Sequence, residues 1–252
     1  MVDLKPMLKR VPGASSLYHW ALLRSAGLAL KWRPADDIFR EIWKGNGWGG
    51  RGSISGPGSD LEQTKVVRKD LPALCDDFGI HSMLDVPCGD FHWMKHVDLG
   101  NVDYAGADIV TELIDQNAQY CMSNIHFCTL DLIKDALPTV DLVFCRDCLV
   151  HLSYKDTYLA LGNICKSGST YLLTTTFTGR QCNFNIATGQ WRPINLQVSP
   201  FLFPPPLKLI NEECTQRDGA YSDKAIGLWQ VSDIRESLTR NSNWPRMHLS
   251  VP

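Results

Sequence analysis

The sequence predicts an α/β protein with a mostly parallel sheet and helices on both faces. Two observations carry this. From residue 82 onward short apolar strands alternate with helical stretches, the rhythm of a parallel sheet built from right-handed crossovers. Acidic residues then recur just past the ends of successive strands, the edge where open parallel sheets bind ligands.

The elements follow in order. A mostly apolar stretch, Leu17 to Trp32, is interrupted by His19 and Arg24. It is too short and polar to span a bilayer and lacks a signal-peptide cleavage pattern, so an amphipathic helix is expected, with weak membrane or partner contact as the alternative. Residues 1–44 are expected to form a helical extension, and 45–252 the main domain. A glycine- and serine-rich loop, Gly45 to Ser59, precedes a helix over Asp60–Phe78, capped by Ser59 or Asp60 and divided by Pro72.

Strands are expected at Ser82–Val86, Asp103–Ala107, Ile125–Cys128, Asp141–Cys145 and Thr170–Phe177. Helices are expected around His92–His96, over Thr111–Tyr120, and from a Ser153 cap to a Gly168 stop. Residues 178–206 form one long loop, which in a compact domain points to function. Leu207–Ile210 and Ile226–Val231 read as two closing strands.

Composition narrows the function. The 252 residues carry 25 Lys+Arg against 27 Asp+Glu, a formal charge of −2, which argues against a nucleic-acid partner because phosphate neutralisation needs a basic surface. The nine cysteines are odd in number and several lie in apolar runs; they read as reduced thiols in a reducing, cytoplasmic setting. Cys145 and Cys148 form the one Cys-x-x-Cys pair, without the further ligands zinc needs.

The candidate site follows from the strand ends. After the first strand comes Leu84-Asp-Val-Pro-Cys-Gly-Asp-Phe-His-Trp-Met94, where Gly89 allows close approach of a ligand and Asp85 and Asp90 supply carboxylates. Asp108 ends the second strand, where a carboxylate can accept both ribose hydroxyls; Asp131 follows the third and can accept from an exocyclic amine. A pyrophosphate cofactor would want Gly-x-Gly-x-x-Gly, whereas this turn has one glycine and added negative charge. An adenosine ligand with a cationic, phosphate-free tail fits better, which is S-adenosylmethionine.

These residues resemble the class I S-adenosylmethionine-dependent methyltransferases over roughly residues 53–235. Asp85 corresponds to the acid opening the glycine motif, Asp108 to the ribose acid, Asp131 to the adenine-side acid and Asp141–Asp147 to the strand-four motif. Pro87 and Phe91 stand where the family usually has glycine. The run Asp-x-Pro-Cys-Gly-Asp-x-x-Trp-Met, preceded by Ser55-Gly-Pro-Gly-Ser59, is similar to a subgroup associated with glycan and sugar O-methylation. The resemblance implies a Rossmann-like, seven-stranded, mostly parallel sheet whose last strand is antiparallel. It implies cofactor contacts from Ser59, Thr64, Asp85, Pro87, Cys88, Gly89, Asp90, Trp93, Asp108, Ile109, Asp131, Leu132 and Arg146.

A hydroxyl acceptor must lose a proton as it attacks. His151 is the candidate base, with Asp147 four residues earlier on the same face if the stretch is helical. The same pair could ligate a divalent metal, which nothing else in the sequence indicates. Arg146 could contact the cofactor or an acidic acceptor, or form a structural salt bridge. Thr178, Asn183, Asn185, Trp191, Arg192 and Asn195 combine amides with a ring, a mix suited to a carbohydrate, and Glu212 and Glu213 could add a carboxylate. The expected activity is O-methylation of a sugar or glycan hydroxyl. The alternatives are a methyltransferase for another small molecule or a protein side chain, or a non-catalytic cofactor-binding domain.

Overall fold

The structure, a computed structural model, describes Leu30 and residues 33–240; apart from Leu30, the Leu17–Trp32 stretch lies outside the described residues. Helix α1 (Ala35–Lys44) precedes the glycine-rich loop, which closes in a short 3-10 turn at Pro57–Ser59. Helix α2 is Lys65–Asp77, and seven strands follow: β1 (Ser82–Asp85), β2 (Asp103–Asp108), β3 (Ile125–Thr129), β4 (Leu142–Cys145), β5 (Tyr171–Phe177), β6 (Lys208–Asn211) and β7 (Lys224–Gln230). Between them lie α3 (Thr111–Asn117) and α4 (Tyr154–Lys166), with α5 (Val231–Arg240) after β7.

The sheet order is β3-β2-β1-β4-β5-β7-β6. Strands β1 to β5 pair in parallel, and β7 runs antiparallel to both β5 and β6. The Rossmann-like, seven-stranded expectation is therefore met. Strand side chains alternate between faces, so neighbouring apolar residues serve opposite layers. Leu84, Val143 and Leu172 pack in one core with Leu161 of α4 and Ile234 of α5. Met83, Leu142 and Leu173 pack in the other with Val67, Leu71 and Leu74 of α2.

Local details depart from the sequence reading. The second helix begins at Lys65 rather than Asp60, and Pro72 sits inside it without dividing it. Proline there removes the bond to the Arg68 carbonyl, but the inner face of Val67, Leu71, Leu74 and Cys75 is buried and holds the helix together. Ser153 does cap α4, its side chain accepting from the Asp156 N–H. Helix α5 was not expected from the sequence. Among the described residues no helix is long and apolar enough to cross a membrane.

Candidate active site

A cavity of about 400 Å³ opens at the carboxyl ends of β1, β2 and β4, where strand order reverses. The turn after β1 shapes its floor. The Cys88 N–H donates to the Ala107 carbonyl, and the Gly89 N–H to Asp108 Oδ2 at 3.2 Å. Asn117 Nδ2 donates to the Gly89 oxygen at 2.7 Å. Gly89 has φ +56, and a Cβ there would lie 2.2 Å from Ser55 Oγ, so only glycine fits. Phe91, at a position where the resembled family usually has glycine, adopts φ +53. Its buried ring packs 5.0 Å from Phe127 and 5.4 Å from Tyr104.

The three strand-end acids come together as expected: Asp85, Asp108 and Asp131 all line the cavity. Asp85 accepts the Tyr104 hydroxyl at 2.6 Å. Burial pushes Asp85 up to about 7, partly offset by that hydrogen bond. Burial likewise raises Asp108 to about 6, against the pull of the Val110 and Gly89 N–H groups. Asp131 accepts from the Ile133 N–H and pairs with Lys134 at 3.0 Å. Ser59, Pro87, Cys88, Gly89, Trp93, Ile109, Leu132 and Arg146 also line the cavity.

Two expected cofactor residues lie elsewhere. The Thr64 hydroxyl is buried against the Asp60 carbonyl and does not reach the cavity. Asp90 is an anchor for the glycine-rich loop: it accepts from Ser53 Oγ (2.9 Å), the Ile54 N–H (2.9 Å) and Ser55 Oγ (3.2 Å). A carboxylate can accept several bonds at once, and here they fold the loop over the turn. The loop brings Trp48 to 4.1 Å from the His151 ring. At Gly56, with φ +98, a Cβ would come within 2.9 Å of Trp48 Cβ.

His151 and Asp147 both line the cavity, but not as a helical pair. Asp147 has φ +53 and the only regular turn is the 3-10 piece Leu149–His151. The Asp147 carboxylate is taken by Lys224 at 2.6 Å and Arg146 at 3.3 Å. Burial would raise it, yet these cations hold it at about 2. A metal ion at Asp147 would have to displace the Lys224 ammonium and the Arg146 guanidinium. His151 Nδ1 instead meets the Gln190 carbonyl at 3.1 Å. Burial lowers His151 to about 4; Asp147 and Gln190 pull it up, Lys224 and Arg192 down.

Four charges form a network beside His151. Arg146 Nη2 meets Glu212 Oε2 at 2.5 Å, and Lys224 lies 3.3 Å from the same oxygen. Arg146 also donates to the Gly58 carbonyl at 2.9 Å and stacks over Trp93. Lys224 stands at the start of its strand, so the residues that follow strands do not include it. Because β7 is antiparallel, its first residue sits at the same edge as the last residues of β4 and β5, and the first residue of an antiparallel closing strand was the available signal.

Of the loop residues expected to meet an acceptor, only Trp191 lines the cavity, 4.9 Å from Tyr221 and 6.0 Å from Phe177. The amides are used to fold the loop. Asn183 donates to the Asn195 and Ser199 carbonyls, and Asn195 to that of Arg180. Asn185 accepts from the Tyr154 N–H, and Thr178 donates to the Asp223 carbonyl. Arg192 is fully buried, donating to the Leu152 carbonyl and lying over Tyr154; burial lowers it to about 10. Phe39 and Trp43 of α1, with Trp48, complete an aromatic wall that the sequence did not reveal.

The sequence matches no protein-family model and no curated protein. Among solved structures, human N-acetylserotonin methyltransferase in complex with SAM is similar at 16% identity, with a TM-score of 0.55, over 84% of this chain and 66% of that one. This chain thus spans about two thirds of that protein's length. Magnesium protoporphyrin IX methyltransferase from Synechocystis PCC 6803 with bound SAM aligns at 17% identity and a TM-score of 0.45, over 61% of this chain and 81% of that one. At these identities the likeness concerns the fold.

Proposed function

We propose that the chain is an S-adenosylmethionine-dependent O-methyltransferase that acts on a hydroxyl of a sugar or glycan. The observation that carries this reading is the convergence of Asp85, Asp108, Asp131 and a hydrogen-bonded His151 on one cavity. The fold shared with a SAM-bound methyltransferase supports it. The cavity suits the cofactor. Gly89 leaves room for close approach, Asp108 offers acceptors to a ribose, and the acidic lining favours a sulfonium cation. A volume of about 400 Å³ is within the range of small-molecule sites.

When bound, S-adenosylmethionine supplies an electrophilic methyl group with a neutral thioether as leaving group. The protein's part is to place the acceptor and receive its proton. A carbonyl only accepts, so the Gln190 oxygen keeps the proton of His151 on Nδ1 and leaves the Nε2 lone pair to receive one. The low affinity of this imidazole for protons keeps it neutral at pH 7. It also makes a weaker base, so alignment of the acceptor carries more of the rate. Trp48, Trp191 and Tyr221 offer ring faces to the C–H faces of a sugar.

The test is incubation with labelled S-adenosylmethionine and a panel of sugars, glycans and other small hydroxyl compounds, with S-adenosylhomocysteine binding followed by calorimetry. One cofactor site and label on a sugar oxygen are expected. No binding at millimolar ligand would remove the reading, and label on nitrogen would replace the acceptor class.

A further inference from the structure

Several residues lining the cavity carry donors that no protein group satisfies, Trp43 and Arg146 among them, and two such residues are neighbours on one loop. Two of its cations are matched: Arg146 with Glu212 and Lys224 with Asp147. Arg217, an exposed residue at the rim, also lines the cavity, and among the described residues its guanidinium has no protein ion pair or hydrogen bond. Its neighbour Gln216 lines the cavity too, and its Nε2 is buried with no hydrogen-bond partner. A buried amide N–H₂ without an acceptor is unfavourable, and a guanidinium beside it offers the planar donor fork that suits carboxylate, sulfate or phosphate oxygens.

The loop is built to hold these groups. Thr215 is tied to Gln63 by two bonds, side chain to side chain at 2.7 Å and through its N–H at 3.3 Å. Past the turn, Tyr221 rests against Trp191. Arg217 and Asp218 both adopt left-handed backbone, φ +49 and +56, and the Ala220 N–H closes the turn on the Arg217 carbonyl.

We propose that the methyl acceptor carries an anionic oxygen group, bound by the Arg217 guanidinium and the Gln216 amide. This rests on the methyltransferase reading and narrows it: among sugars, a uronate or a phosphorylated or sulfated sugar is the substrate class, and a neutral sugar is the poor one. The 215–221 loop, rather than the amides of 178–206, selects the acceptor.

The test uses the full chain saturated with S-adenosylhomocysteine and follows tryptophan fluorescence. Glucuronate and glucose 6-phosphate are each compared with glucose, and benzoate with benzyl alcohol. The anionic member of a pair should bind about three- to fivefold tighter, the size of one exposed ion pair, and less so at high salt. Arg217→Ala should abolish the preference and Arg217→Lys should keep part of it. Arg217→Asn, whose side chain suits a left-handed backbone, guards against a folding artefact. S-adenosylhomocysteine affinity should stay the same in all three variants. The proposal is overturned if no anion outbinds its neutral partner, if the preference survives the Ala and Asn variants, or if cofactor affinity falls in parallel, which would assign these donors to the cofactor. Preference for benzoate without sugar binding supports the anion site and removes the sugar reading. Anion preference without cofactor binding supports the site and removes the methyltransferase reading.

Discussion

Nδ1 of His151 faces the backbone oxygen of Gln190 at 3.1 Å, so the long loop after β5 and not Asp147 orients the imidazole. Gly189 N–H donates to the His151 carbonyl and Arg192 N–H to that of Val150. The loop is therefore laced to the 3-10 turn at His151 and at the residue before it. This makes the protonation state of His151 a property of the packing between two distant segments.

His151→Ala should lower turnover by about 10²- to 10⁴-fold, the usual contribution of a general base, and leave S-adenosylhomocysteine affinity within about twofold. Because burial holds the imidazole near 4, kcat/KM for the acceptor, measured with the cofactor saturating at every pH, should fall only as pH drops through that region. An acid limb near 6.5 that is absent from the variant would show that burial does not depress this group.

Cofactor affinity should strengthen as pH rises from 5 to 8. Burial raises Asp108 to about 6 and Asp85 to about 7, so both hold protons that a ribose- and cation-binding site must release. The sign for stability is opposite in the free protein. A carboxyl raised above its ordinary 3.8 contributes stability fully present below that value and lost as pH rises through about 7. Thermal melts across this range, with and without S-adenosylhomocysteine, should show ligand stabilisation growing with pH; pH-independent stabilisation would contradict the assignment.

Asp90→Ala removes the acceptor shared by Ser53, Ile54 and Ser55. Proteolysis within Gly45–Gly58 should accelerate, and cofactor KM should rise more than kcat falls, because the loop rather than the carboxylate borders the cavity. Unchanged cleavage kinetics would show that the loop is held by other contacts.

Glu212→Ala should destabilise the fold by about 3–5 kcal/mol, since it leaves buried Arg146 without its closest acid. Urea titration measures this. A loss below about 1 kcal/mol, the range of an exposed pair, would count against the network.

Asn195→Ala should cost about 1–3 kcal/mol through its lost bonds to Arg180 and Gln197, with no selective change in acceptor KM. A selective KM effect, measured beside a urea titration, would restore this amide to the acceptor site.

Much of the half of the site proposed for the cofactor was legible along the chain. Strand ends announce themselves through apolar runs, and a residue just past a parallel strand must face the binding edge, so Asp85, Asp108 and Asp131 could be named together. Asp90 and Thr64 lie equally close in sequence, yet folding turns them toward the 53–55 loop and the Asp60 carbonyl. Their direction depends on which segment returns to meet them.

The half proposed for the acceptor was hidden for the same reason. Amides in a long loop look like ligand donors, but a loop without sheet or helix partners must satisfy its own backbone groups, and Asn183, Asn185 and Asn195 do that work. Sequence periodicity by itself determined the strand rhythm and which residues end the parallel strands, since both follow from local spacing. Tertiary structure alone decided that antiparallel β7 delivers Lys224 to Asp147, that Gln190 orients His151, and that α1 and the glycine-rich loop supply the aromatic wall. Those contacts join residues far apart in the chain, and only the packing of the finished sheet brings them within reach.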